Sequence, residues 1–280
     1  MRIYASFVRF SHSVFALPFA LTGAVLASRD VPLTWGRVVW IVVAMVSARS
    51  AAMGFNRLVD ARFDALNPRT ASRELPAGRM TTGEAAAFVA IAAVVFVGAS
   101  YQLGRLCFAL SPVALAIVFW YSLAKRYTWL TQAFLGLAMA VAPIGGWLAA
   151  GGGWGWEPWV LALAIGTWVG GFDVLYACQD LEFDRVHGLH SIPQRFGVPT
   201  SLRISRVLHV ITVCGLAALA WVAPLGPIYV AGVAGVASLL AYEQSLVSAH
   251  DLSRVTLAFD LNGWVGILYF VTTAAAIYVR

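Results

Sequence analysis

The chain is a succession of long apolar runs separated by short polar stretches. The runs cover residues 10–28, 36–56, 84–103, 106–123, 131–150, 158–179, 203–223, 226–246 and 260–279. A helix needs roughly 17–25 apolar residues to cross the hydrocarbon core of a bilayer, and every run reaches that length. The runs are continuous and lack the alternation of a membrane barrel strand. The expectation is an all-α, polytopic membrane protein of nine transmembrane helices, a single domain over 1–280. Composition agrees. The chain is 60% hydrophobic and 11% charged, against about 25% charged residues in soluble domains. Pro18, Pro112 and Pro143 fall inside runs, where neighbouring helices can satisfy the backbone groups that a proline frees.

The charges set the orientation. Most of the 19 basic residues fall at the N-terminus and in the loops after the even-numbered runs. That side is expected to be cytoplasmic, which places the protein in the cytoplasmic (inner) membrane. The net charge of +6 then reports topology and anionic ligands, and no nucleic acid is expected as a partner. The first run follows Arg2 and Arg9 as a leader peptide would, but many runs follow and the cleavage signal near Ala27 is weak, so it reads as an uncleaved span. Cys107, Cys178 and Cys214 form no C-x-x-C pair and read as small apolar residues.

Two acidic stretches end even-numbered runs. Asn56, Asp60 and Asp64 are four residues apart and share one helix face, with Arg49 two turns earlier on it. Asp173, Asp180 and Asp184 repeat the arrangement on the sixth run. The two runs lie four apart, which suggests two similar four-helix halves plus one further helix. Carboxylates and an amide, without His or Cys at ligand spacing, suit a hard cation such as Mg²⁺, which completes its shell with water and phosphate oxygens. Asn56, Asp60, Asp64, Asp180 and Asp184 are the candidate ligands of a metal that holds a diphosphate. A solvated helix end is the plainer alternative for the first stretch. Arg49 stands inside a span, where a charge is costly without a task. It either pairs with an acid, binds diphosphate or binds an acceptor carboxylate. Arg69 and Arg73 lie in a Pro- and Gly-containing loop and either face water or clamp phosphate oxygens. Lys125 and Arg126 end the fourth run, as topology anchors or phosphate partners, with Tyr121 one turn earlier as a donor in a cavity wall. Asp173 lies about 10 Å inside the helix end at 1.5 Å per residue and needs a partner there. The loops 57–83 and 180–202 are too polar for lipid and are expected over the cavity mouth. His12, His187 and His190 read as loop or interface residues, Glu182 as solvated, and Phe15, Phe19, Trp120, Phe134, Trp147 and Trp168 as packing or interface aromatics.

These motifs resemble those of the UbiA superfamily of intramembrane aromatic prenyltransferases. Asn56-x-x-x-Asp60-x-x-x-Asp64 and Asp180-x-x-x-Asp184 match its two acidic motifs. The run Asn67-Pro68-Arg69-Thr70-Ala71-Ser72-Arg73 continues the first, Tyr176-Ala177-Cys178-Gln179 opens the second, and Tyr121-Ser122 through Lys125-Arg126 matches a further one. The resemblance covers essentially the whole chain, and the run from Gly171 to Gly197 is similar to the 4-hydroxybenzoate polyprenyltransferase-like branch. It implies nine helices around a central cavity open to the cytoplasm and to lipid. It also implies Mg²⁺-dependent transfer of a polyprenyl group from an allylic polyprenyl diphosphate to a ring carbon of a hydroxylated aromatic acid, in quinone synthesis. The acceptor is 4-hydroxybenzoate-like or, alternatively, 1,4-dihydroxy-6-naphthoate. Under that reading the catalytic set is Lys125 and Arg73 on the diphosphate, Tyr121 as a hydrogen-bond donor in the cavity wall and Asp173 on the acceptor. Arg49, Asn56, Arg69 and Arg126 join the substrate-binding set. Glu74 departs from the Arg-Pro form of the first loop found in many 4-hydroxybenzoate enzymes. Another class, a transporter with an acidic pathway, would place its charges near the midplane of both halves, whereas here they gather at one face.

Overall fold

The structure is a computed structural model. It describes residues 2–8 and 10–279, and the side chains of these except 2, 5 and 10–16. Arg9 and the side chains of Arg2, His12 and Phe15 therefore lie outside the described parts. Helices make up nearly all of it: α1 Arg2–Phe7, α2 Phe10–Ala27, α3 Trp35–Leu66, α4 Thr82–Leu103, α5 Arg105–Ala124, α6 Thr131–Ala149, α7 Glu157–Ala177, α8 Leu181–His187, α9 Ile192–Val222, α10 Gly226–Ser245 and α11 Val255–Tyr278. A 3₁₀ turn, Cys178–Asp180, joins α7 to α8. Among the described residues the only strand-like feature is a single bridge between Ser248 and Asp251. Eight helices are long and apolar enough to cross a membrane, with α7 and α8 counted as one. The ninth expected span is α2, whose apolar stretch Leu17–Ala27 is shorter.

The helices that carry the acids overrun the bilayer. At 1.5 Å per residue the 32 residues of α3 span about 48 Å, against a hydrocarbon core of about 30 Å. The expected loop 57–83 is therefore helical as far as Leu66. Asn67 ends the helix because the following Pro68 disfavours α conformation in the residue before it. The expected loop 180–202 is likewise mostly helix. Ser191 caps α9, its hydroxyl accepting the Gln194 N–H, with a proline in the first turn. Gly197, at φ 75°, bends α9 between its N-terminal turn and its span.

Each spanning helix packs on the next along the chain, and α11 returns to α2, so the nine form a closed ring. α2 also packs on α6 and α7. The α2–α6 contact is backbone to backbone: a Cβ at Gly23 would collide with the Pro143 carbonyl, and one at Gly146 with the Ala20 carbonyl. Small residues supply such close approach in lipid, where burying apolar surface offers no drive between helices. Phe19 and Trp168 pack edge-to-face at 5.1 Å in the core, and the Trp168 indole N–H donates to Asn262 Oδ1 at 2.6 Å. This ring holds the C-terminal ends of α3, α5 and α7–α8 around one cavity.

Candidate active site

A polar cavity of about 250 Å³ is lined by Asn56, Asp60 and Asp64 from α3, Arg69 and Arg73 from the following loop, Tyr121 and Lys125 from the end of α5, and Asp173, Asp180 and Asp184 from α7–α8. The two lines of acids read from the sequence thus face one space. A second cavity of about 360 Å³ is walled almost entirely by aliphatic and aromatic side chains of α2 to α7. Tyr121 and Leu135 belong to both walls, so the two cavities meet there.

Four acids of the polar cavity, Asp60, Asp64, Asp180 and Asp184, are engaged by neighbouring side chains. Asp60, 3% exposed, accepts from Lys125 Nζ at 2.5 Å and Arg126 Nη2 at 2.8 Å, while Asn56 Nδ2 lies 3.4 Å from its carboxylate. Arg126 also donates to the Val59 carbonyl at 2.8 Å. Arg73 Nη1 reaches both oxygens of Asp64 at 2.8 and 2.9 Å. Arg69 reaches both oxygens of Asp180, at 2.8 and 2.5 Å, and the Tyr176 hydroxyl at 2.5 Å. Asp184 accepts from Ser191 Oγ at 2.8 Å. Lys125 is fixed from behind, since its carbonyl accepts the His190 N–H at 2.7 Å. Glu182 is exposed and pairs with Arg185 at 3.1 Å, away from the cavity.

Among the described residues no three His, Cys, Asp or Glu groups converge as a ready-made metal cluster. The donor chemistry nonetheless fits a hard cation, because five carboxylates and three side-chain amides (Asn56, Asn67 and Gln132) share the cavity wall, against a single imidazole, His190, among the described residues. The cations that now hold these acids are themselves suited to phosphate oxygens.

Arg49 is not among the residues of the polar cavity. It stands in the apolar one, opposite Tyr121, and its buried Nε has no hydrogen-bond partner. A shared helix face had placed it with the acids, but seven residues of helix put it about 10 Å deeper. Sequence reasoning missed Thr70, Gln132 and Ser191 in the polar wall. It also missed a clamp below the loop, where Arg57 and Glu74, each about 5% exposed, pair at 2.7 Å. Burial pushes the Glu74 carboxyl up, but hydrogen bonds from Ser6 and the backbone, with Arg57 and Arg79 nearby, outweigh it and hold the group below the usual carboxylate range.

Comparison with known proteins places the chain in a family. A protein 30% identical over 247 residues, 88% of this chain and 86% of its own length, is a 4-hydroxybenzoate octaprenyltransferase of Vibrio campbellii. A protein of that name from Tolumonas auensis is 32% identical, covering 88% and 85%. The apo structure of a UbiA homologue from Aeropyrum pernix superposes with a TM-score of 0.86 at 34% identity, covering 94% of this chain and 96% of that one. A more distant homologue from Archaeoglobus fulgidus, bound to GPP and Mg²⁺, shares the fold at a TM-score of 0.77 and 19% identity, covering 98% and 99%. The model of the UbiA prenyltransferase family matches residues 16–273, and the chain belongs to that family.

Proposed function

We propose that the protein transfers a polyprenyl group from an allylic polyprenyl diphosphate to a ring carbon of a 4-hydroxybenzoate-like acid, with Mg²⁺, at a site open to the cytoplasm. The observation that carries this reading is the junction of the two cavities. A pocket of acids and cations adjoins an apolar one, with Tyr121 and Leu135 in both walls, as suits a charged head on an insoluble tail. The names of the curated relatives support the acceptor class. The excess of basic residues on the side of the polar cavity supports its facing the cytoplasm.

Asn56, Asp60 and Asp64 on one wall and Asp180 and Asp184 on the other would hold Mg²⁺, which supplies Lewis-acid stabilisation of the leaving diphosphate. Lys125, Arg69, Arg73 and Arg126 add fixed positive charge where the diphosphate gathers negative charge. Arg49 offers a partner for the acceptor carboxylate from within the apolar cavity, and Tyr121 a hydroxyl at the junction. The allylic C1–O bond breaks, and the ring carbon ortho to the acceptor hydroxyl bonds to C1. The proton on that carbon leaves, and Asp173, which lines the cavity, is placed to orient the phenol or to take it. The aliphatic walls keep water from the developing cation, which water would convert to the prenyl alcohol.

The test is prenyl transfer by purified protein with geranyl diphosphate and Mg²⁺, with 4-hydroxybenzoate and 1,4-dihydroxy-6-naphthoate offered side by side and product masses read out. Prenylated 4-hydroxybenzoate is the expected product. Product from the naphthoate alone would reassign the acceptor to menaquinone synthesis. No product with either acceptor, with longer donors included, would overturn the reading.

A further inference from the structure

The loop between α3 and α4 brings Arg69 and Arg73 to the cavity, yet residues 67–81 form only turns and bends. What fixes it lies on its far side. Glu74, 4% exposed, accepts from Arg57 Nη1 at 2.7 Å and from Ser6 Oγ of α1 at 2.6 Å. Leu75 and Met80 of the loop pack beside this pair with Phe7, Met53 and Phe88. Arg57 follows Asn56 and Glu74 follows Arg73, so the buried pair ties together, one residue removed on each side, two elements of the cavity wall. On the cavity side Arg73 spans both Asp64 oxygens with Nη1, and its side chain, 25% exposed, lines the polar cavity. A hydrogen-bonded guanidinium and carboxylate lock each other's direction, and neither tolerates loss of the other away from water.

We propose that Glu74 is a positioning residue for the diphosphate subsite: through Arg57 and Ser6 it sets the loop so that Arg73 presents its guanidinium to the prenyl diphosphate. This rests on the function proposed above. A clamp that served stability alone would lower Tm and leave substrate recognition alone. The experiment measures Glu74→Gln, Glu74→Asp and Ser6→Ala in the full chain. Donor KM, acceptor KM, kcat and Tm are read for each variant, with calorimetric binding of geranyl diphosphate in the presence of Mg²⁺. Glu74→Gln is expected to raise donor KM and weaken donor binding about tenfold, the scale of one charged hydrogen bond. Acceptor KM should stay within about twofold, and Glu74→Asp should restore part of the loss. Ser6→Ala should shift donor KM in the same direction by a smaller factor, and it decides the matter if Glu74→Gln does not fold. Unchanged donor KM, or equal loss for donor and acceptor that follows a lower Tm, overturns the inference. Wild-type protein that binds no prenyl diphosphate removes the functional reading and this inference with it. Wild-type binding matched by Glu74→Gln removes this inference only.

Discussion

Asp60 holds two cations at 3% exposure, whereas Asp180 holds one and its side chain is 23% exposed. The two acids therefore differ in what they do for the fold. Asp60→Asn and Asp180→Asn are both expected to cut Mg²⁺-dependent transfer roughly a hundredfold or more. Only Asp60→Asn should also destabilise the protein, by about 2 kcal/mol, because Lys125 and Arg126 lose their shared countercharge. Parallel thermal melts and transfer rates check this, and near-normal turnover in either variant would remove that acid from the metal set. Arg49 gives the opposite pattern. Arg49→Met keeps the side chain's length and takes an unpaired cation out of an apolar cavity, so Tm should rise. Acceptor KM should climb by roughly ten- to a hundredfold while donor KM holds, the loss of one charge-assisted hydrogen bond. A fall in Tm, or a donor effect equal to the acceptor effect, would return Arg49 to a structural role. At this scale the sequence showed which residue types share a face, because helical spacing is local. It did not show Arg69 on Asp180 or Lys125 on Asp60, since these partners lie 111 and 65 residues apart and meet only through tertiary packing. Glu74 was legible only as a departure from a motif, and its partner Arg57 looked like one more topology charge.

The apolar runs located the helices well, because span length is set by the bilayer. Their ends at the site were misjudged, because composition records where lipid stops and not where hydrogen bonding does. α3 runs on to Leu66 and α9 starts at Ile192 behind its cap Ser191, and the α3 extension and that cap are the parts that reach the site. Helix contacts were less legible. The close approach of α2 and α6 depends on Gly23 and Gly146 meeting carbonyls of the other helix, and many other glycines of the chain meet nothing. Gly146→Ala is expected to cost about 1–3 kcal/mol, as an overpacked contact does. Gly145→Ala, whose added Cβ meets nothing within 4 Å, should leave Tm close to wild type. Thermal melts of the two variants compare neighbouring residues of one helix, and equal melting would refute the tight α2–α6 contact.

For the whole molecule, nine spans and two acid-bearing helices were visible in the order of residues, while the closure of the ring was not. α11 packs on α2, the last long helix on the first. This contact bears on how the protein is made. Ala27 and Val255 bound a gap of 228 residues (255 minus 27), which a ribosome adding about 5–20 residues per second crosses in roughly 10–50 s. Through that interval the first span sits in the membrane without its final neighbour. No residue that lines either cavity lies beyond Ser191, so every wall residue of the site has been made before α11, and the last helix closes the ring behind walls already in place.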